Sequence, residues 1–213
     1  MFRMPTQNRS KKIKAILFDL GKVILDFDFN PAFRKLSKAT GLTSQEIRGH
    51  FSRSGLEVLY DGGKISSRRF YHEVKKTLKH PLSYGAFKKV WNNIFTPKVR
   101  MMALVRELSR RYRLVLISNT NAMHYGHVRR KYPVFRLFDR HILSFREKVR
   151  KPDERIYRRA IAACQAGPDE IFYIDDREDL TTAADALGLR TFTFKNNPDA
   201  LVKRLKSEGI LPQ

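Results

Sequence analysis

The chain has 213 residues, 42% of them hydrophobic, which is enough core for one domain, or one domain with an insert, and excludes a wholly disordered chain. Lys and Arg number 43 against 21 Asp and Glu, a formal charge of +22; such a surplus attracts phosphate esters, nucleic acids and other anions without specifying a fold. The single cysteine, Cys164, excludes an internal disulfide framework and fits a reducing compartment.

The start is basic, with Arg9, Lys11, Lys12 and Lys14 ahead of an apolar run at 15–18. Asp19 and Lys22 interrupt that run too early for a secretory core. No stretch approaches the ~20 apolar residues that span a bilayer. A cytoplasmic protein with no membrane partner is expected.

Five apolar runs, at 13–18, 114–117, 141–145, 171–174 and 190–194, read as buried strands of a parallel sheet. Helical periodicity at 99–111, 122–130, 153–164, 180–187 and 199–208 fills most of the gaps between them. The alternation argues an α/β fold, a Rossmann-like open parallel sheet with right-handed crossovers. One connection is too long for a simple crossover, the stretch of about 95 residues from Asp19 to the second strand. It reads as four amphipathic helices near 31–40, 44–53, 66–78 and 83–94, with Thr43 and Glu46 as a capping box for the second. The expected organisation is a core of residues 1–28 and 96–213, with a helical cap at 29–95 over the carboxyl ends of the strands, where open α/β sheets bind ligands.

Four strand ends carry chemistry. The first delivers Asp19 just before Gly21, the place for a nucleophile or metal ligand, though turns use the same pattern. The second ends in Ser118 and Asn119 and opens a helix; a hydroxyl and free N–H groups there suit a phosphate, or simply an N-cap. Pro152 is expected at the first position of a later helix, leaving Lys151 in the loop to aim its ammonium at an anion. The fourth strand closes with Asp175 and Asp176, adjacent carboxylates that repel each other and favour a cation such as magnesium. His124 and His127 are three apart on a helix but lack a third ligand, so they read as two partly exposed histidines. Phe87, Trp91, Phe95 and Tyr71 read as core of the insert.

The order Phe18-Asp19-Leu20-Gly21, Ile117-Ser118-Asn119-Thr120-Asn121, Lys151-Pro152-Asp153 and Tyr173-Ile174-Asp175-Asp176 resembles the haloacid dehalogenase superfamily of aspartate-nucleophile hydrolases. It most resembles the bacterial branch that includes the α-D-glucose-1-phosphate phosphatases. The resemblance spans about residues 13–194 and is looser in the insert. It implies a phosphatase in which Asp19 attacks phosphorus and Ser118 and Asn119 hold the phosphoryl oxygens. Lys151 would neutralise both nucleophile and phosphate. Asp19, Asp176 and the Gly21 carbonyl would ligate Mg²⁺, with Asp175 as a further ligand or their support. A small phosphorylated metabolite, a sugar phosphate first, is the implied substrate.

Most phosphatases of that superfamily place a general acid two residues after the nucleophile, where this chain has Gly21. The resemblance therefore implies slow turnover or a preference for good leaving groups, with Asp26 and Asp28 as downstream carboxylates. Two other readings compete. A 2-haloacid dehalogenase uses the same nucleophile and lysine but has no use for Asp175-Asp176. A non-catalytic nucleic-acid binder would use the basic surface, yet no recognised module is present.

The charge yields a prediction of its own. Binding to DNA or RNA should be weak, indifferent to sequence and lost at moderate salt, because it rests on scattered Lys and Arg side chains. Filter binding of several unrelated oligonucleotides at two salt concentrations checks this. Tight binding to one sequence that survives high salt would refute it.

Overall fold

The computed structural model describes residues 12–213; the basic start around Arg9 and Lys11 lies outside them. In chain order the elements begin with β1 (Ala15–Phe18) and β2 (Leu25–Phe27), followed by five helices. These are α1 (Asn30–Thr40), α2 (Ser44–Ser54), α3 (Leu56–Asp61), α4 (Ser67–Leu78) and α5 (Tyr84–Asn92). Then come β3 (Phe95–Pro97), α6 (Val99–Leu108), β4 (Arg113–Ser118), α7 (Ala122–Lys131), β5 (Arg140–Leu143) and α8 (Ser144–Glu147). The chain closes with α9 (Glu154–Cys164), β6 (Ile171–Asp175), α10 (Glu178–Asp185), β7 (Arg190–Thr193) and α11 (Pro198–Ser207).

The sheet is parallel, five-stranded and ordered β5-β4-β1-β6-β7. Alternation along each strand sends its side chains to both faces. Ile16, Phe18, Leu114, Leu116, Phe172 and Ile174 join one buried cluster, while Ala15, Leu17, Val115, Ile117, Ile171 and Tyr173 join the other. With helices over both faces these strands read as unbroken apolar runs, as expected for a parallel sheet. Phe18 pairs with Leu116 on one side and Ile174 on the other. The next residues on β1 and β6, Asp19 and Asp175, therefore leave neighbouring strands at the same level.

The insert departs from the sequence expectation in two ways. A two-stranded antiparallel ribbon of β2 and β3, with Asp26 opposite Thr96, closes its base; three-residue strands carry too little pattern to be seen in sequence. A fifth helix, α3, is only six residues long and sits between Gly55 and Gly62. The Thr43–Glu46 capping box is present on α2. The interior of the insert is aromatic: the Trp91 ring lies 5.0 Å from those of both Phe51 and Phe70, and Tyr60 stacks on Phe70 at 4.6 Å. Phe87 and Tyr71 are buried in the same cluster.

Two further boundaries shift. β5 stops at Leu143 and the expected strand residues Ser144 and Phe145 begin α8 instead. Pro152 does not open a helix: Asp153 is the N-cap of α9, accepting from Arg155 N–H, and Pro152 precedes it after a cis bond. Among the described residues no helix is long and apolar enough to cross a membrane.

The end of α3 is latched to the core. Asn121 Nδ2 donates to Asp61 Oδ1 at 3.0 Å, Ser144 Oγ to the Asp61 carbonyl at 2.5 Å, and Met123 N–H to Tyr60 Oη at 3.1 Å. Just beyond, Gly63 has φ +65°, and a Cβ there would lie 2.1 Å from the Phe145 carbonyl oxygen. Gly41 shares the left-handed backbone (φ +75°) but has open space around it. Gly41→Ala should therefore cost only the backbone strain of about 1–2 kcal/mol. Gly63→Ala should cost clearly more, because the backbone contact must also open; urea denaturation of the two variants checks the order.

Candidate active site

β1 sets Asp19 in place by continuing its ladder, Asp19 N–H donating to the Ile174 carbonyl at 2.9 Å. Its side chain is almost fully buried, as are Ser118 at the end of β4 and Lys151 before α9. The Lys151 loop is clamped to β4 by a reciprocal pair. Asn119 Nδ2 donates to the Lys151 carbonyl, and Lys151 N–H to Asn119 Oδ1, each at 2.9 Å. So the Asn119 side chain positions the lysine, and what it can offer a ligand is its backbone.

Lys151 Nζ donates to Asp19 Oδ1 at 2.7 Å and to Asp175 Oδ2 at 2.5 Å, with Tyr173 Oη at 3.2 Å and the Ile117 carbonyl at 3.3 Å. Tyr173 also donates to Asp175 Oδ2, and Arg177 N–H donates to Asp175 Oδ1 at 3.0 Å. Sequence reasoning missed Tyr173, since it reads as one more apolar strand residue. Asp175 is thus engaged through both oxygens. Asp19 Oδ2 and the half-buried Asp176 are left facing the cavity.

Oxygens of Asp19, Asp175 and Asp176 lie within 4.8 Å of one another. Three carboxylates against one ammonium leave two negative charges uncompensated, and that imbalance suits a divalent cation on oxygen ligands. The pKa values follow the same logic. Burial pushes Asp19 up to about 7, Lys151 opposing and Asp175 and Asp176 adding to the rise. Asp176 is raised by burial and by Asp175. Burial works against the Lys151 charge, but Asp19 and Asp175 outweigh it and hold its pKa above the usual lysine range. Gly21 lines the cavity beside them, and its carbonyl accepts from Val23 N–H at 2.6 Å, leaving one lone pair.

These residues close one end of a cavity of about 290 Å³. Phe27, Phe29, Trp91, Phe95 and Leu180 form its apolar wall, so Trp91 and Phe95, expected as core, also line the cavity. Phe27 has a second effect: a Cβ on Gly21 would lie 2.9 Å from Phe27 Cε1, so that ring fills the room of a side chain beside the nucleophile. Asp26 pairs with Lys22 and Asp28 accepts from Asn30 N–H at 2.9 Å. Neither lines the cavity.

His124 corrects the sequence reading. It is buried rather than partly exposed, stacked on Trp91 at 5.4 Å with Nδ1 beside Asn121 Nδ2 and Nε2 beside the Trp91 carbonyl. Burial pushes its pKa down to about 3, so it stands as a neutral residue of the cavity wall. His127 is half-buried and stacks on Phe95. Sequence reasoning also missed Glu57 and Asp61, which project from α3 into the cavity. Their only sequence signal was an acid pair at i, i+4 ahead of Gly62-Gly63 in a basic chain.

Residues 13–188 match the haloacid dehalogenase-like hydrolases. The chain is 26% identical over 195 residues to a D-ribitol-5-phosphate phosphatase of Bacteroides thetaiotaomicron, covering 88% of this chain and 94% of the relative. It is 26% identical over 178 residues to a sesquiterpene phosphatase of Aspergillus oryzae, covering 83% and 87%. Among solved structures it resembles a haloacid dehalogenase family enzyme of B. thetaiotaomicron in complex with magnesium and inorganic phosphate, with TM-score 0.78 and 26% identity over 85% of this chain and 93% of that one.

The carboxylate crowding is measurable as stability. A raised folded-state pKa means that Asp19 stabilises the fold below its unfolded value near 4 and loses that contribution as pH rises through about 7. Asn keeps an oxygen for Lys151 but no charge. In EDTA at pH 8, Asp19→Asn should exceed the natural chain in stability by on the order of 1–3 kcal/mol. The gap should close as pH falls toward 4, and Mg²⁺ should favour the natural chain; urea denaturation across that range decides.

Proposed function

The chain belongs to the haloacid dehalogenase-like hydrolases, and from that membership we propose that it is a Mg²⁺-dependent phosphatase of a small phosphorylated metabolite, a sugar or polyol phosphate first. The observation that carries this reading is the buried Lys151 ammonium bridging Asp19 and Asp175, with Asp176 beside them and Ser118 at the next strand end. A dehalogenase has no use for the extra carboxylate charge; a phosphatase uses it to hold a cation against phosphate.

The chemistry runs in two steps, each of them chiefly positioning and electrostatics. Asp19 Oδ2, the oxygen that Lys151 leaves free, attacks phosphorus and the ester bond to the leaving group breaks, giving an aspartyl-phosphate. Lys151 favours the charged form of Asp19 against the effect of burial and faces the phosphoryl oxygens. The Ser118 hydroxyl and the Asn119 N–H receive the same oxygens. Water then hydrolyses the acyl-phosphate and restores Asp19. Asp19, Asp176 and the Gly21 carbonyl would hold Mg²⁺, which when bound neutralises phosphate charge; Asp175 keeps Lys151 in place. We take residues 29–95 as a cap whose aromatic wall receives the carbon skeleton of the substrate. The cavity, about 290 Å³, suits a metabolite of a few carbons, and flat rings pack well against the C–H face of a sugar.

With Mg²⁺ the protein should hydrolyse p-nitrophenyl phosphate and a subset of sugar and polyol phosphates. EDTA should abolish this reversibly, and Asp19→Asn should lower kcat by at least about 10³-fold, since the nucleophile is lost. Full activity in EDTA, or halide release from a 2-haloacid, would overturn the reading.

A further inference from the structure

Phosphoester cleavage leaves an alkoxide unless something protonates the departing oxygen, and the position beside the nucleophile is Gly21, its space taken by Phe27. We propose that Glu57, on α3 of the insert, donates that proton and so replaces the missing acid. This rests on the phosphatase reading.

The assignment comes from which proton-bearing groups line the cavity and are uncommitted. Lys151 is fixed between Asp19 and Asp175. Lys22 is paired with Asp26 and donates to the Phe27 carbonyl at 2.8 Å. Arg177 is paired with Asp179. Both nitrogens of His124 are engaged. Asp61 is spent on Asn121, and its own carbonyl on Ser144, as the latch that fixes α3. Asp176 lies at the metal end with Asp19. Glu57 alone remains: it lines the cavity, is half-buried, and has no hydrogen bond or ion pair among the described residues.

Its surroundings favour a group that holds a proton near neutrality, as a general acid must. Glu57 is pushed up to about 7 by burial and by Asp61 one helical turn on, with Arg150 opposing. Those two are the charged groups that act on it. The latch gives α3 a fixed seat: Asp61 is held on the core, so Glu57, four residues earlier, points from the insert toward the cavity.

The step balances. As Asp19 bonds to phosphorus, the bond from phosphorus to the leaving oxygen breaks. That oxygen takes the Glu57 proton and departs as an alcohol, leaving Glu57 as carboxylate. In the second step Glu57 takes a proton from the attacking water, whose oxygen bonds to phosphorus as the bond to Asp19 breaks. Phosphate leaves, and both side chains return to their starting forms.

The test is selectivity for leaving groups in Mg²⁺, with p-nitrophenyl phosphate and phenyl phosphate as probes. p-Nitrophenolate is a good leaving group without protonation and phenolate is a poorer one. In Glu57→Gln the ratio of kcat/KM for p-nitrophenyl to phenyl phosphate should rise at least about 10-fold, and Glu57→Asp should recover part of it. The natural enzyme should lose kcat/KM for phenyl phosphate as pH rises through about 7, a limb that Glu57→Gln should lack. Asp61→Asn, which keeps a partner for Asn121, should move that limb to lower pH. An equal loss on both esters, or an unchanged ratio and pH profile, would overturn the role of Glu57 alone. Absence of any Asp19-dependent turnover of p-nitrophenyl phosphate would overturn the phosphatase reading with it.

Discussion

One buried ammonium organises this protein. Lys151 lies among Asp19, Asp175 and Tyr173 at the carboxyl end of the sheet, out of contact with solvent. A buried ion pair is weak support for stability in itself, but removing one partner leaves an uncompensated charge at a cost of about 3–5 kcal/mol. The fold therefore commits its surrounding parts to holding that lysine. Asn119 clamps its backbone from β4, and Asp175, itself capped by Tyr173 and Arg177 N–H, holds its head from β6. The result is a nucleophile oriented through one oxygen and free at the other.

The opposite side of the cavity is built by different physics. The insert has its own aromatic cluster around Trp91, Phe51 and Phe70, and it meets the core through few directed contacts. Tyr60, Asp61 and the Trp91 carbonyl do so by hydrogen bonds, and Gly63 by the absence of a side chain. Lys151 and the three aspartates lie at the sheet end of the cavity, while the insert brings rings together with the carboxyl groups of Glu57 and Asp61. A ligand with an anionic head and a compact carbon body matches that division. Phe27 belongs to both halves, as wall for the ligand and as the ring that keeps the place beside Asp19 closed to a longer side chain.

Strands buried on both faces advertise themselves, because each must be apolar throughout, and β1, β4 and β6 were legible for that reason. So were Asp19, Ser118, Asp175 and Asp176 as candidates, since a polar residue that ends such a run must lie at one edge of the sheet, and Lys151 through the proline that follows it. The Thr43–Glu46 capping box was equally local and equally legible. The β2–β3 pair and α3 were not, because three to six residues are too short for a hydrophobic period to stand out.

What the sequence determined by itself was thus the sheet, its functional edge and the residue types there, all of which depend on local patterning. Tertiary structure decided the partners. Which oxygen of Asp19 Lys151 takes, that Asp175 is spent on Lys151 and Tyr173, and that His124 is buried and neutral all depend on segments brought together from far apart in the chain. Glu57 is the clearest case. Its side chain is ordinary in sequence, and only the docking of α3 on Asn121 and Ser144 brings it to the cavity. Local periodicity reports whether a residue is buried; long-range packing alone sets which charges face one another.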